Sequence, residues 1–270
     1  MNMFKSNRKI FNIFNNNYVW YIILAIFVIV SCMYFDKDIT NRIKAGIINQ
    51  INISVPDYYI NIFSGEAILN KYGKRDYDIP FMWMSVQLIV CAVISLKPFY
   101  CSSYKDVYKL IQSRSRTNYI IRQIYDILIK IVSVYAVIMA VIVLYSFGKG
   151  NINIDIHYEL FDSMNNGAGI GIYIYPFIYS IMMALLQLLL NMYMNRVIAI
   201  ALIIACNITA IYIPVWYTLG NISMIYRSSN LGTDVRYSVI ACVILIIMFV
   251  ILSIYRFNKY DVICTKEPES

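Results

Sequence analysis

The chain has 270 residues, of which 60% are hydrophobic and only 14% are charged, and its mean hydropathy is +0.62. Soluble domains carry about a quarter charged residues, so this composition excludes an ordinary soluble domain. The formal net charge is +8, but no soluble basic face remains of the kind that nucleic-acid binding requires.

Six long apolar runs with few or no charges recur along the chain. They cover residues 18–35, 79–96, 127–147, 170–190, 197–217 and 237–255. As helices that rise about 1.5 Å per residue, they are long enough to cross about 30 Å of hydrocarbon. The sequence therefore predicts an all-α polytopic membrane protein, with one transmembrane domain over residues 1–270 and six spanning helices.

The first segment, residues 1–17, is basic and rich in asparagine. Apolar side chains among its polar residues include Phe4, Ile10, Phe11, Ile13 and Phe14. This mixture predicts either a short helix on the inner membrane surface or a disordered basic tail.

The first apolar run contains Cys32 in a context, IVSC, that resembles a bacterial lipoprotein cleavage site. Met33, Tyr34 and Phe35 continue the apolar run, whereas a lipoprotein would begin a polar tether there. No small-residue A-x-A site is present either, so a membrane helix is the favoured interpretation and lipidation of Cys32 the alternative.

Residues 36–78 form the largest predicted outer segment. Isoleucines recur there every four residues, at Ile39, Ile43, Ile47 and Ile51, which indicates an amphipathic helix. Pro56 is expected to break it. With so few apolar residues, the segment is predicted to cap the membrane and not to form an independent domain.

A basic loop, residues 97–126, interrupts the apolar chain after the second run. Pro98 is expected to end the preceding helix, and Ser103 to begin a new one with Asp106 three residues later. An apolar stripe follows at helical spacing, at Tyr104, Val107, Tyr108 and Ile111. The sequence predicts a short amphipathic helix, a basic Ser-Arg-Ser-Arg turn and a helix that returns to the membrane.

Three further features are read from the second half of the chain. Pro176 is expected to kink the fourth span or to mark its start, and a few residues around Arg196 join the fourth and fifth spans in a tight hairpin. Residues 218–236 are too apolar for a free loop and too interrupted to span, which favours a re-entrant or interfacial hairpin on the outer side.

The distribution of Lys and Arg predicts the orientation. With both termini in the cytoplasm, the inner segments hold 14 of the 23 basic residues and 5 of the 15 acidic ones, as the positive-inside rule requires. None of the six cysteines falls in an outer loop, so no disulfide framework is expected.

Chemistry-bearing groups are scarce. The strongly polar side chains within the spans are Gln87, Gln187 and Asn207, interpreted as interhelical hydrogen bonds or, alternatively, as a substrate pathway. His157 is the single histidine of the sequence, which leaves no metal site or catalytic triad built on histidines. No GxxxxGK[ST] motif occurs, so the chain is predicted not to be an enzyme.

Taken together, the six spans with both ends inside, the short helix and basic turn between spans two and three, and the interrupted hairpin between spans five and six resemble a known family. It is that of permease subunits of bacterial ATP-binding-cassette (ABC) exporters whose ATPase is a separate polypeptide. The resemblance covers nearly the whole chain and is one of architecture. It implies a multi-pass protein of the bacterial cytoplasmic membrane.

The resemblance also implies a mechanism, in which the helix between spans two and three is a coupling helix that binds a groove of the ATPase. The implied contacts are Tyr104, Lys105, Asp106, Val107, Tyr108, Lys109, Ile111, Arg114 and Arg116. ATP and Mg²⁺ would bind the partner ATPase, and no cofactor is expected in this chain. A second permease, identical or related, would complete the pore, and the cargo would be a hydrophobic or amphipathic peptide.

Two other classes compete with this interpretation. A membrane sensor or assembly subunit would use the basic loop to contact a cytoplasmic partner or anionic lipid. A membrane enzyme is disfavoured because the catalytic groups are missing. The sequence leaves open the cargo, the direction of transport and whether the pore is a homodimer or a heterodimer.

Overall fold

The structure is a computed structural model that describes residues 17–49, 51–65, 79–95, 113, 115–150, 152–161, 164, 171–215, 217–230 and 234–259. Within these ranges it is all-helical. The α-helices are α1 (Asn17–Lys44), α2 (Val55–Phe63), α3 (Phe81–Ser95), α4 (Arg116–Gly148), α5 (Gly171–Leu190), α6 (Arg196–Tyr212), α7 (Ile225–Asn230) and α8 (Asp234–Lys259). Two 3-10 turns lie at Tyr158–Leu160 and Leu219–Ser223.

Four helices are long and apolar enough to cross a membrane: Tyr18–Lys44, Arg116–Gly148, Gly171–Leu190 and Val235–Lys259. Two other predicted spans are shorter apolar helices, Phe81–Ile94 and Arg196–Tyr212. At about 1.5 Å per residue, α6 is only about 25 Å long, less than the thickness of the hydrocarbon core. The all-α class is confirmed for the described residues, and four of their helices are compatible with a multi-pass membrane protein. Six full-length spans remain a prediction.

The helices α1, α3, α4, α5, α6 and α8 form one bundle, in which α5 packs against α3, α4, α6 and α8. In the most apolar window of each helix, 61% of α5 is buried, against 28% of α1 and 22% of α8. Pro176 lies inside α5, which begins five residues earlier at Gly171. Pro176 therefore does not mark the start of the helix.

Large apolar side chains point outward along α1 and α8. Among the exposed ones are Ile22, Ile26, Val30 and Met33 on α1 and Ile240, Ile244, Ile247 and Ile251 on α8. Exposed apolar surface this extensive is not tolerated by a soluble monomer, and it fits contact with lipid. The bundle therefore has the surface of a multi-pass membrane protein.

Helix α1 continues without a break to Lys44, so it extends into the first residues of the predicted outer segment 36–78. Ile39 and Ile43 lie on α1, whereas Ile47 and Ile51 lie beyond its end and are not helical. The helix stops at Gly46, whose φ is +69°. The Gly46 N–H donates to Ile43 O and the Ile47 N–H to Arg42 O, both at 3.0 Å, which is a Schellman motif.

The role predicted for Pro56 is wrong, because Pro56 lies in the first turn of α2 and does not end a helix. Proline suits a first turn because the N–H it lacks has no partner within the helix there. Ser54 is the N-cap, and Ser54 and Asp57 form a reciprocal capping box. Seven of the nine residues of α2 are buried, so α2 packs inside the bundle, against α1, α3 and α4, and does not cap it from outside.

The predicted hairpin of residues 218–236 consists of two short pieces and the start of a long helix. The 3-10 turn at Leu219–Ser223 packs against α5, α6, α7 and α8. Buried residues there and in α7 include Asn221, Ile222, Ser223, Ile225 and Arg227. This segment is therefore part of the bundle interior.

Candidate functional site

The predicted coupling helix lies outside the described residues. Tyr104, Lys105, Asp106, Val107, Tyr108, Lys109, Ile111 and Arg114 belong to this undescribed part. Arg116 is described, and it is the first residue of α4, directly after the N-cap Ser115. The assignment of these residues to ATPase contact therefore stays a prediction.

Arg116 joins the beginning of α4 to the end of α8. Its Nη1 donates to the Asn258 carbonyl oxygen at 3.1 Å, and the Thr117 hydroxyl contacts the Asn258 side chain at 3.4 Å. Behind this contact, the Tyr119 and Phe257 rings stack at 5.4 Å between centroids. The guanidinium is thus engaged at the bundle end as well as being a candidate partner contact.

Gln87 belongs to a buried chain of hydrogen bonds across three helices. The hydroxyls of Tyr135 on α4 and Ser180 on α5 lie 2.8 Å apart, and the Ser180 hydroxyl donates to Gln87 Oε1 on α3 at 3.3 Å. Among the described residues, Gln87 Nε2 has no hydrogen-bond partner although it is buried. Within the described part of the protein, these hydrogen bonds leave one buried amide donor without a partner, which is costly in a protein interior.

Gln187 and Asn207 are buried as well and make interhelical hydrogen bonds. Gln187 Nε2 donates to the Cys91 carbonyl oxygen on α3 at 3.2 Å. Asn207 Oδ1 accepts from the Tyr179 hydroxyl on α5 at 2.8 Å, and its Nδ2 donates to Ile203 O at 3.1 Å. A substrate pathway through Gln87, Gln187 and Asn207 stays a prediction.

A buried carboxylate on α2 was not predicted from the sequence. Asp57 is fully buried, and its oxygens accept from the Ser54 N–H at 2.9 Å and the His157 N–H at 3.0 Å. The His157 ring contacts the same carboxylate through Nδ1 at 2.7 Å. The single histidine of the chain therefore serves to hold α2 to residues 152–161.

A second missed carboxylate, Asp36 on α1, gathers groups from two other helices. It accepts hydrogen bonds from the hydroxyls of Tyr58 on α2 at 2.5 Å and Tyr145 on α4 at 2.7 Å. Lys149 Nζ lies 3.1 Å from it. Burial, and then the hydrogen bond to Asp36 and its charge, raise the pKa of the Tyr58 phenol well above its usual range, so Tyr58 remains a donor.

Arg227 on α7 is the third missed group, with 2% of its surface exposed. Its guanidinium donates to the backbone carbonyls of Ala210 and Ile211 and to Asn221 Oδ1 at 2.7 Å. The two carbonyls belong to the last turn of α6, whose final C=O groups lack partners within the helix. A buried cation there satisfies them and complements the helix dipole.

Local sequence carries a signal for only part of this arrangement. Ser54 and Asp57 have the spacing of a capping box, and Arg227 directly follows the apolar residues Met224, Ile225 and Tyr226. A hydropathy average shows Asp36, Asp57 and Arg227 only as charged residues of the predicted outer segments, and it gives no sign of their contacts. The partners of Asp57 and Asp36 on α4 and in residues 152–161 lie 100 or more positions away in sequence, so no local pattern pairs them.

A surface cavity of about 760 Å³ lies beside the Asp57–His157 contact and is lined by Ile51, Asn52, Asn153, Ile156, His157, Tyr158 and Glu159. In the described part of the chain, no three His, Cys, Asp or Glu side chains come together as a metal site. Comparisons with protein-family models, with curated proteins and with solved structures found no match for this chain.

Proposed function

We propose that this protein is the permease subunit of an ABC exporter, forms half of a translocation pathway and binds a separate ATPase through the basic loop 97–126. The loop is the most strongly patterned non-membrane segment of the chain, because apolar and basic residues occupy different faces of its predicted helix. The chain lacks a phosphate-binding motif, so the energy for transport would come from the partner.

The observation that carries the proposal is the way in which the two ends of the loop are held in the bundle. Lys130 Nζ on α4 donates to Val93 O in the last turn of α3 at 3.0 Å. The first turn of α4 is in turn bonded to Asn258 near the end of α8. A movement of the loop would therefore displace α3, α4 and α8 together, as a coupling element requires.

The same end of the bundle carries further positive charge. Arg256 in the last turn of α8 lies over the Tyr193 ring at 4.7 Å, and Lys259 lies over Tyr255 at 4.5 Å. Cations in this position complement the C-terminal dipole of α8 and agree with a cytoplasmic location by the positive-inside rule. Loop and C-terminus would then face the same partner.

A hydrophobic or amphipathic peptide is the proposed cargo. The central helix α5 carries Tyr179, Met182 and Met183 as buried residues. Methionine is flexible and polarizable and adapts to varied apolar shapes. In a pathway along α5, such side chains would suit amphiphilic molecules better than small ions.

Copurification tests this proposal. The tagged full-length chain would be extracted from its native membrane in mild detergent, and the bound proteins identified by mass spectrometry. We expect a polypeptide with a GxxxxGK[ST] motif, and we expect Tyr108→Asp to abolish its recovery because a carboxylate would enter the apolar stripe that fills the groove. The matched control is Tyr72→Asp, the same change in the predicted outer segment 36–78.

Two results would contradict the proposal. One is the recovery of the ATPase in equal amounts with wild type and Tyr108→Asp. The other is a reproducible partner without any nucleotide-binding motif, which would favour the sensor or assembly subunit instead.

A further inference from the structure

Helix α2 enters the bundle from one end and reaches its interior. The Val55 N–H, at the start of α2, donates to Asn153 O at 3.1 Å. At the other end, the Phe63 ring stacks on Tyr135 with 5.6 Å between centroids. Tyr135 lies thirteen residues before the end of α4 at Gly148, which is about 20 Å along the helix at 1.5 Å per residue.

Polar groups line the space into which α2 inserts. Asn61 Nδ2 on α2 donates to the Ser31 hydroxyl on α1 at 3.3 Å. The buried hydrogen bonds of Tyr135, Ser180 and Gln87 begin next to Phe63. Gln87 Nε2 has no hydrogen-bond partner among the residues that the structure describes. A purely structural core would bury apolar side chains here, because an unpaired amide costs free energy.

Two carboxylates make the contacts that tether α2 to its surroundings, Asp57 on α2 itself and Asp36 on α1. Asp57 holds it to His157 at 2.7 Å, and Asp36 on α1 holds it through the Tyr58 hydroxyl at 2.5 Å. Both tethers lie in the first half of α2. The second half is held by aromatic contacts, by Asn61 and by the hydrogen bond from the Tyr226 N–H to Ser64 O at 3.0 Å.

We infer that α2 is a displaceable plug, which closes a polar track of Tyr135, Ser180 and Gln87 against the amphipathic cargo and is held closed by Asp36 and Asp57. This inference rests on the proposed function, since it specifies how the same pathway is kept shut. When the plug leaves, the hydroxyls and the Gln87 amide become available to the backbone of a peptide. A helix of nine residues is unstable alone in water, so α2 keeps its shape only against the bundle.

A native cysteine reports on the position of the plug. Cys32 lies one helical turn before Asp36 and on the same face of α1, next to Ser31, which contacts Asn61. It is 1% exposed, and Cys242 on α8 is fully buried. In the purified full-length chain in detergent, the rate at which a polar methanethiosulfonate reagent labels each cysteine can be followed by peptide mass spectrometry.

The test removes the tethers one at a time and together. Tyr58→Phe deletes the hydroxyl that Asp36 accepts from, and His157→Ala deletes the ring that Asp57 holds. We expect the labelling rate of Cys32 to rise about tenfold for each tether lost, because a hydrogen bond to a charged group shifts an opening equilibrium by about that factor or more. The rate at Cys242 should not change.

Tyr179→Phe is the matched control. It also deletes one buried phenol hydroxyl, which donates to Asn207 at 2.8 Å, but it leaves both tethers in place, so labelling of Cys32 should stay at the wild-type rate. If the double variant does not fold, Tyr58→Phe and His157→Ala each test the inference alone, with a smaller rise in the labelling rate of Cys32.

The inference is overturned if Cys32 stays protected when tethers are lost, or if Cys32 and Cys242 become reactive together, which would make α2 an ordinary part of the core. No ATPase takes part in this assay, so its outcome is separate from that of the copurification experiment.

Discussion

At the scale of single residues, three charged groups hold one bundle end together: Asp57 and Arg227 are buried, and Asp36 is partly buried, with 16% of its side chain exposed. Asp36, Asp57 and Arg227 each meet several hydrogen-bonding partners. Burial of a charge is costly unless it is paired and hydrogen-bonded, so these contacts are what makes the positions tolerable. The loss of one of these groups should therefore lower the stability of the protein more than the loss of an exposed charge does.

Arg227→Leu tests this directly. We expect the variant to lose about 3 kcal/mol of stability, because the carbonyls of Ala210 and Ile211 and the Asn221 amide oxygen would lose a charged donor in a buried place. Thermal unfolding in detergent, followed by circular dichroism, would show a lower midpoint.

The control is Arg236→Leu, which removes an exposed arginine from the first turns of α8. Its midpoint should stay close to wild type. Equal midpoints for the two variants would show that Arg227 contributes no more than a surface charge does.

At the scale of elements, local signals predict where helices begin and end better than they predict what those helices contact. Ser54 and Asp57 have the spacing of the capping box at the start of α2. Gly46 adopts the left-handed backbone conformation that ends α1. The isoleucine period and the usual role of proline predict other boundaries in both places, and the structure does not have them. The spacing of Ile39 and Ile43 does reflect a helix, but that helix is the extension of the first span.

Gly46→Ala should shorten or strain the end of α1. Gly46 has φ +69° with open space around it, so a methyl group meets no neighbour, but the left-handed backbone costs about 1 kcal/mol for an L residue. Hydrogen exchange would show faster opening of the last turn of α1.

Gly148→Ala serves as the comparison. Gly148 also has nothing within 4 Å of an added Cβ, and its φ is not positive. The last turn of α4 should be unchanged or slower to exchange, because alanine favours the helix over glycine. If both variants accelerated exchange to the same extent, backbone strain at Gly46 would not be the cause.

At the scale of the whole molecule, charge and burial differ between the two ends of the bundle. The end with Lys44, Gly148 and Tyr212 encloses α2, the 3-10 turns and α7, whereas the end with Arg116 and Lys259 carries the exit of the basic loop. This asymmetry, together with the excess of Lys and Arg, predicts which end faces the cytoplasm.

Reporter fusions check the orientation. We expect green fluorescent protein fused after Ser270 to fluoresce, because it folds in the cytoplasm, and alkaline phosphatase fused after Gly150 to be active, because it requires the outer compartment. If the green fluorescent protein fusion does not fluoresce and the alkaline phosphatase fusion is inactive, the predicted topology is reversed. The basic loop would then not lie on the side of an ATPase.

The sequence by itself determined the class of this protein, its apolar helices and most of the positions where they break, because hydropathy and backbone preferences are local properties. Only the tertiary structure decided that Asp57 and Arg227 are buried and that Asp36 and His157 are their partly buried neighbours in the same bundle end. The physical reason is that the burial of a charge depends on partners that arrive from distant parts of the chain. A carboxylate such as Asp57 becomes tolerable in the interior only when His157, 100 residues away, is folded against it.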